Sequence, residues 1–192
     1  MPRPLKYIIP ITVLLIAAGA VAYFVVERWT HRFDELIERE ATVYRLDPKL
    51  VWSLIHEETY FRPDVRGDAG ELGLMQITPT VAKMWAKETG LRQFERRTEE
   101  NIGEFVSDPK RNIQIGCWYL EMLVDKYSGS PANLAMALAA YNAGPTRVDN
   151  WLKGLKRADI DEDEFISMIA IASTRAYVTS ILGRYREVKE AE

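Results

Sequence analysis

Residues 51–79 read VWSLIHEETYFRPDVRGDAGELGLMQITP. The opening residues have helical spacing: Val51, Leu54 and Ile55 share one stripe, and the next position on it is Glu58. Offsets of three, four and seven residues bring side chains to one helix face. A carboxylate therefore stands where an apolar residue is expected. Glu57 lies about 100° round the helix axis, on another face, so the adjacent pair is not a carboxylate dyad. Phe61-Arg62-Pro63 ends the helix, because the residue before a proline disfavours helical backbone. Gly67, Gly70 and Gly73 then punctuate a loop over 64–77, where glycine permits turns and close backbone approach. Thr78-Pro79 opens the next helix with a hydroxyl cap and a proline at the first helical position.

Working outward, Asp47-Pro48 carries the same start signal for the helix that reaches about Thr59. Before it, Trp29, Phe33, Leu36, Ile37 and Val43 predict an amphipathic helix over 28–45. After the loop, the helix from Pro79 runs to Thr89, with Gly90 as its stop. Residues 91–107 are rich in charge and read as a solvated connection. Asp108-Pro109 is a third cap, followed by the stripe Ile113, Gly116, Cys117, Leu120, Val124 and Tyr127, which ends near Gly129. An Ala-rich helix over 131–141 breaks at Asn142-Ala143-Gly144-Pro145, and a short helix follows over 146–153. The charge run 156–164 reads as a loop, and a helix from Phe165 to about Lys189 closes the chain. Neither a hairpin signal nor an internal repeat is present. The expected fold class is all-α.

The start of the chain is different in kind. From Tyr7 to Val26 the residues are apolar apart from Thr12, a run of the ~20 residues that a bilayer requires. Arg3 and Lys6 precede it. The positive-inside rule then predicts a cytoplasmic N-terminus over 1–6, a transmembrane anchor over 7–26, and a domain over 28–192 outside the cytoplasm. Ala20-Val21-Ala22 offers the cleavage site of a signal peptide. However, Tyr23-Phe24-Val25-Val26 continues the apolar run beyond it, which favours an uncleaved anchor in the inner membrane. No cysteine follows the segment to take a lipid.

Composition and motifs narrow the chemistry. The 192 residues are 47% apolar, enough for one domain with a core plus the extra segment. A net charge of -3 offers no basic face of the kind nucleic acid requires. Cys117 is the single cysteine, lies within an apolar stripe, and reads as packing. His56-Glu57-Glu58 begins an H-E-x-x-H pattern, but position 60 is Tyr60, so the zinc-protease arrangement is excluded. His31 and His56 are the only histidines and read as partly solvated helix residues. Without a Cys/His cluster, neither a metal nor a cofactor is expected. Glu58 remains. Desolvation among apolar neighbours raises a carboxyl pKa. A rise from about 4.3 to about 6 corresponds to roughly 2 kcal/mol and leaves a usable protonated fraction near neutral pH. The alternative is a structural glutamate paired with an arginine such as Arg175.

An ordered set of motifs adds to this reading. It comprises Glu58-Thr59, Gly70-Glu71-Leu72-Gly73-Leu74-Met75-Gln76-Ile77-Thr78-Pro79, and Asp108-Pro109 with Asn112-Ile113, Gly116 and Tyr119-Leu120. Ala139-Ala140-Tyr141-Asn142-Ala143-Gly144-Pro145 completes it. In order and spacing the set resembles the soluble lytic transglycosylase catalytic domain of the goose-type lysozyme superfamily, over about residues 40–188.

That resemblance implies a lysozyme-like helical fold acting on the glycan strands of peptidoglycan. It implies non-hydrolytic cleavage between N-acetylmuramic acid and N-acetylglucosamine, with a 1,6-anhydro product and no cofactor. Glu58 matches the single catalytic acid. Thr59, in a position usually held by Ser, Gln76, Tyr141 and Asn142 match substrate-binding positions. Two departures stand out. Ser173-Thr174-Arg175-Ala176-Tyr177-Val178 replaces the family's E-T-R-x-Y-V, so Ser173 takes the place of an acid, and Thr78 takes the place of a common Met. The first departure motivates a competing reading, a wall-binding or scaffolding module of low activity; a hydrolytic muramidase is another.

Overall fold

A computed structural model of the chain describes residues 5–91 and 99–191. The chain divides into two compact units, Met1–Asp34 and Glu35–Glu192. The first holds helix α1, Leu5–Thr30, of 26 residues. At 1.5 Å per residue it is about 39 Å long. Its large apolar side chains from Ile11 to Val26 are exposed, and it is long and apolar enough to cross a membrane.

The second unit is all-α among the described residues. Its helices are α2 (Asp34–Val43), α3 (Pro48–Thr59), α4 (Pro79–Glu88), α5 (Glu99–Ser107) and α6 (Pro109–Lys126). Then follow α7 (Asn133–Ala143), α8 (Pro145–Trp151), a 3-10 turn (Arg157–Asp159), α9 (Glu162–Met168) and α10 (Ala172–Glu190). The three expected caps are present: Asp47 accepts from the Lys49 amide, Thr78 from Val81 and Asp108 from Arg111, at 3.0, 3.2 and 3.0 Å. Each satisfies an amide that the first helical turn leaves unpaired.

Four expectations require correction. The helix expected over 28–45 is two elements: α1 ends at Thr30, and α2 starts at Asp34 after a turn at 31–33. The Thr30 hydroxyl donates back to the Val26 and Glu27 carbonyls at that end. Consequently His31 lies in a turn, and of the expected stripe Val43 is exposed while Ile37 is buried. The connection expected over 91–107 contains α5, whose Ile102 and Val106 are fully buried; residues 92–98 lie outside those described. Within the charge run 156–164, Asp161 caps α9 by accepting from the Glu164 amide at 2.8 Å. Finally, the closing helix is interrupted between Met168 and Ala172. There Arg175 donates twice to the Ile169 carbonyl, at 2.7 and 3.2 Å.

α3 ends without a glycine. Tyr60 caps it in the left-handed region at φ 52°, ψ 46°, and Phe61 follows at φ 59°. Such backbone costs roughly 1–2 kcal/mol per L-residue. Complete burial of the Phe61 ring returns about 1.5–3 kcal/mol, which offsets most of that cost. The core lies where α3 packs on α10, and α7 on α6, α8 and α10. The buried alanines of α7, Ala135, Ala137, Ala139 and Ala140, allow those helices to approach closely.

Candidate active site

The glycine loop is fixed from three sides. Its own backbone folds back, with Gly73 N–H donating to Val65 O and Leu72 and Ile77 exchanging amide bonds at 2.9–3.1 Å. Asn112, wholly buried near the start of α6, donates to Leu72 O at 2.7 Å and Val106 O at 3.0 Å. Its Oδ1 accepts from Met75 N at 2.7 Å. Gly73 has φ 70°, and a Cβ there would collide with the Asn112 side chain. Glycine is needed at this position for both reasons. From α7, the Tyr141 hydroxyl donates to Met75 O at 2.7 Å. From α3, the Thr59 hydroxyl donates to Leu74 O at 3.1 Å.

Glu58 stands in the last turn of α3, above fully buried Val51, Leu54 and Ile55. The side chain is half-buried. Tyr177 of α10 donates its hydroxyl proton to Glu58 Oε1 at 2.6 Å. Burial pushes the Glu58 carboxyl up to about 7; the Tyr177 bond opposes the rise, and the charges of Glu57 and Glu71 add to it. Near neutral pH the acid and its carboxylate are thus both well populated. Burial, then the Glu58 charge, pushes the phenols of Tyr177 and Tyr141 well above their ordinary range, so both remain protonated donors. The Tyr141 ring lies against Tyr119, with centroids 5.4 Å apart.

The structure distributes the other expected site residues unevenly. Thr59 is 2% exposed and its hydroxyl donates to the Ile55 and Leu74 carbonyls, so it ties α3 to the loop. Gln76 sits at φ 47° and uses its amide donors on Gly73 O at 2.8 Å and Val65 O at 3.3 Å. Asn142 is exposed, with Oδ1 accepting from Thr174 at 2.7 Å. Arg175 does not pair with Glu58; its guanidinium holds Ile169 O. Ser173 is exposed at the start of α10. His56 packs among Trp52, Tyr60 and Phe61. Cys117 is buried, and its thiol pKa is pushed up by burial, which suits packing. A cleft of about 290 Å³ lies between Pro63–Arg66, Leu72, Ser107 and Pro109; Glu58 is not in its lining.

Two residues that spacing did not single out complete the arrangement, Tyr177 and Asn112. Both stood in the sequence motifs, but their roles depend on partners 119 and 37 residues away.

Residues 35–164 match the family model described as the Transglycosylase SLT domain. The chain is 30% identical over 165 residues to the soluble lytic murein transglycosylase of Escherichia coli (strain K12), covering 86% of this chain and 24% of that protein. It is 26% identical over 157 residues to the membrane-bound lytic murein transglycosylase E of Buchnera aphidicola subsp. Acyrthosiphon pisum (strain APS), covering 82% and 67%. Among solved structures, an inactive mutant of the lytic transglycosylase Slt from Pseudomonas aeruginosa superposes with a TM-score of 0.69 at 29% identity. That match covers 82% of this chain and 24% of the other. The chain spans about a quarter of the length of the soluble relative.

Proposed function

The chain belongs to the transglycosylase SLT domain family, and on that premise we propose that it is a membrane-associated lytic transglycosylase of murein. The carrying observation is the Glu58 carboxyl, half-buried, raised to about 7 and aimed by the Tyr177 hydroxyl.

In the proposed reaction one carboxyl serves twice. Protonated Glu58 gives its proton to the glycosidic oxygen as the C1–O bond of N-acetylmuramic acid breaks. The substrate's own N-acetyl oxygen stabilises the electron-poor C1. The Glu58 carboxylate then takes the proton from the sugar's C6 hydroxyl while O6 bonds to C1. The product is a 1,6-anhydro end, no water is consumed, and Glu58 is protonated again. With a pKa of about 7, the two states differ by less than about 1 kcal/mol near neutral pH. The Tyr177 bond favours the carboxylate that the second step needs. Two-carboxylate glycosidases instead divide the roles of acid and of base or nucleophile between two groups.

Gln76 Oε1, Tyr141 and Asn142 are the proposed contacts to the glycan strand, with Thr59 behind them holding the loop. The proposed arrangement in the cell is 1–6 in the cytoplasm, 7–26 across the inner membrane, and 28–192 on the wall side. The exposed apolar face of α1 supports this, since so large a surface calls for lipid or protein cover.

The test is digestion of purified peptidoglycan by the full chain in detergent, with muropeptides weighed by mass spectrometry. Anhydro ends are the expected result. Products heavier by one water would make it a muramidase, and binding without soluble products would make it a wall-binding module. Glu58→Gln should lower the rate by roughly 10²–10⁴-fold, the usual worth of a general acid. A variant as active as the native chain would remove Glu58 from the mechanism.

A further inference from the structure

Glu57 has no part in that reaction, yet it is held as carefully as Glu58. It turns away from Glu58 around α3 and meets α10. There the Ser180 hydroxyl donates to Glu57 Oε2 at 2.6 Å, and Arg184 Nη2 lies 3.6 Å from the same oxygen. The Arg184 and Glu57 side chains are 26% and 27% exposed, so the pair is screened less than a surface ion pair. Tyr177, Ser180 and Arg184 follow one another at spacings of three and four on α10, hence on one face. A single helix face thus grips two consecutive carboxylates, Glu58 through Tyr177 and Glu57 through Ser180 and Arg184.

We propose that Glu57, fixed by Ser180 and Arg184, is a positioning residue that sets the acidity at which Glu58 releases its proton. This rests on the reading of Glu58 as the acid. A negative charge held beside Glu58 favours its protonated form, and the Arg184 guanidinium cancels part of that field. The groups facing Glu58 are Tyr177 from α10, Tyr141 from α7, Glu71 from the loop, and Glu57. Both phenols stay neutral. Glu71 accepts from the Ala69 amide at 2.9 Å and supplies a smaller repulsion than Glu57. Facing Glu57 and Arg184 is His56, whose pKa is lowered by burial and then by the Arg184 charge, so it is neutral at neutral pH. Glu57, with Arg184 against it, is therefore the charge that Glu58 senses most.

A clamp that merely joined α3 to α10 would weaken when either partner was lost, and would move no titration in a fixed direction. The proposed role predicts opposite signs. With the full chain in detergent and peptidoglycan sacculi as substrate, Glu57→Gln should move the alkaline limb of the pH–rate profile down by roughly half a pH unit. Arg184→Gln should move it up by less, because Arg184 lies against Glu57 and not against Glu58. The double variant should lie between Glu57→Gln and the native profile, and Arg184→Lys, which keeps the charge, should leave the limb in place. Gln at 57 still accepts from Ser180, so the helix contact survives. Carbon-13 NMR titration of the glutamate carboxyls, with Glu58 assigned by its loss in Glu58→Gln, reads the same shifts without substrate. Shifts of one sign, or none, in the two single variants would overturn the proposal. Full activity of Glu58→Gln would instead overturn the catalytic reading, while the titration would still decide the coupling.

Discussion

The Tyr177 hydroxyl donates a 2.6 Å hydrogen bond to Glu58 Oε1, joining the first helix of the site to the last. It pulls the Glu58 pKa down against burial and the neighbouring carboxylates. Tyr177→Phe keeps the ring and removes the donor. The Glu58 pKa should rise, so the alkaline limb of activity moves to higher pH. The maximal rate should fall by about tenfold, because a bond to a charged group is worth about 1.5–3 kcal/mol. A pH–rate profile of the variant checks both; an unmoved limb would show that the bond does not tune the acid.

The same carboxyl links stability to pH. Its folded pKa of about 7 lies above the ordinary 4.5, so the folded chain holds this proton more tightly than the unfolded chain does. The resulting stability is complete below pH 4.5 and is lost as pH rises through about 7. The loss is on the order of 3 kcal/mol. Glu58→Gln carries no charge to bury, so its Tm should exceed that of the native chain at pH 8 by about 5–10 °C. At pH 4 the two should converge. Thermal melts at both pH values test this.

Asn112→Ala should be among the most damaging substitutions away from the reacting groups. It leaves the Met75 amide and the Leu72 and Val106 carbonyls without the partners seen at 2.7–3.0 Å. Buried polar groups left unpaired cost about 1–3 kcal/mol each, partly relieved by entering water. A loss of about 3–5 kcal/mol is expected from urea denaturation. A cost below 1 kcal/mol would mean that the loop holds its shape without α6.

Two glycines of the same loop should respond differently. Gly70 and Gly73 both have positive φ, but a Cβ at Gly70 meets open space while one at Gly73 meets Asn112. Gly70→Ala should cost about 1 kcal/mol, from backbone strain alone. Gly73→Ala should cost at least about 2 kcal/mol more, because it also displaces Asn112. Comparison of their denaturation midpoints decides; equal costs would remove the steric account.

What was legible in the sequence was local. The Asp47, Thr78 and Asp108 caps each act within three residues, and their Pro partners mark the helix starts unambiguously. Glu58 on the Val51, Leu54 and Ile55 stripe is equally a matter of spacing. α5 was hidden because its core contacts, Ile102 and Val106, are two residues in a charged stretch, too few to set a period. The interruption after Met168 has no glycine or proline to announce it; Ile169-Ala170-Ile171 is as apolar as a helix interior, and the break coincides with the bonds from Arg175. The bond from Thr59 to Leu74 O, 15 residues on, has no signal in the residues around Thr59. Partners at such range belong to the tertiary fold.

The span between Glu58 and Tyr177 also orders events in time. A chain made from its N-terminus presents α3 long before α10 exists. Until α10 packs on α3, Glu58 lacks its bond from Tyr177. A chain cut ahead of Ala172 would keep Glu58 and lack the hydroxyl that aims it.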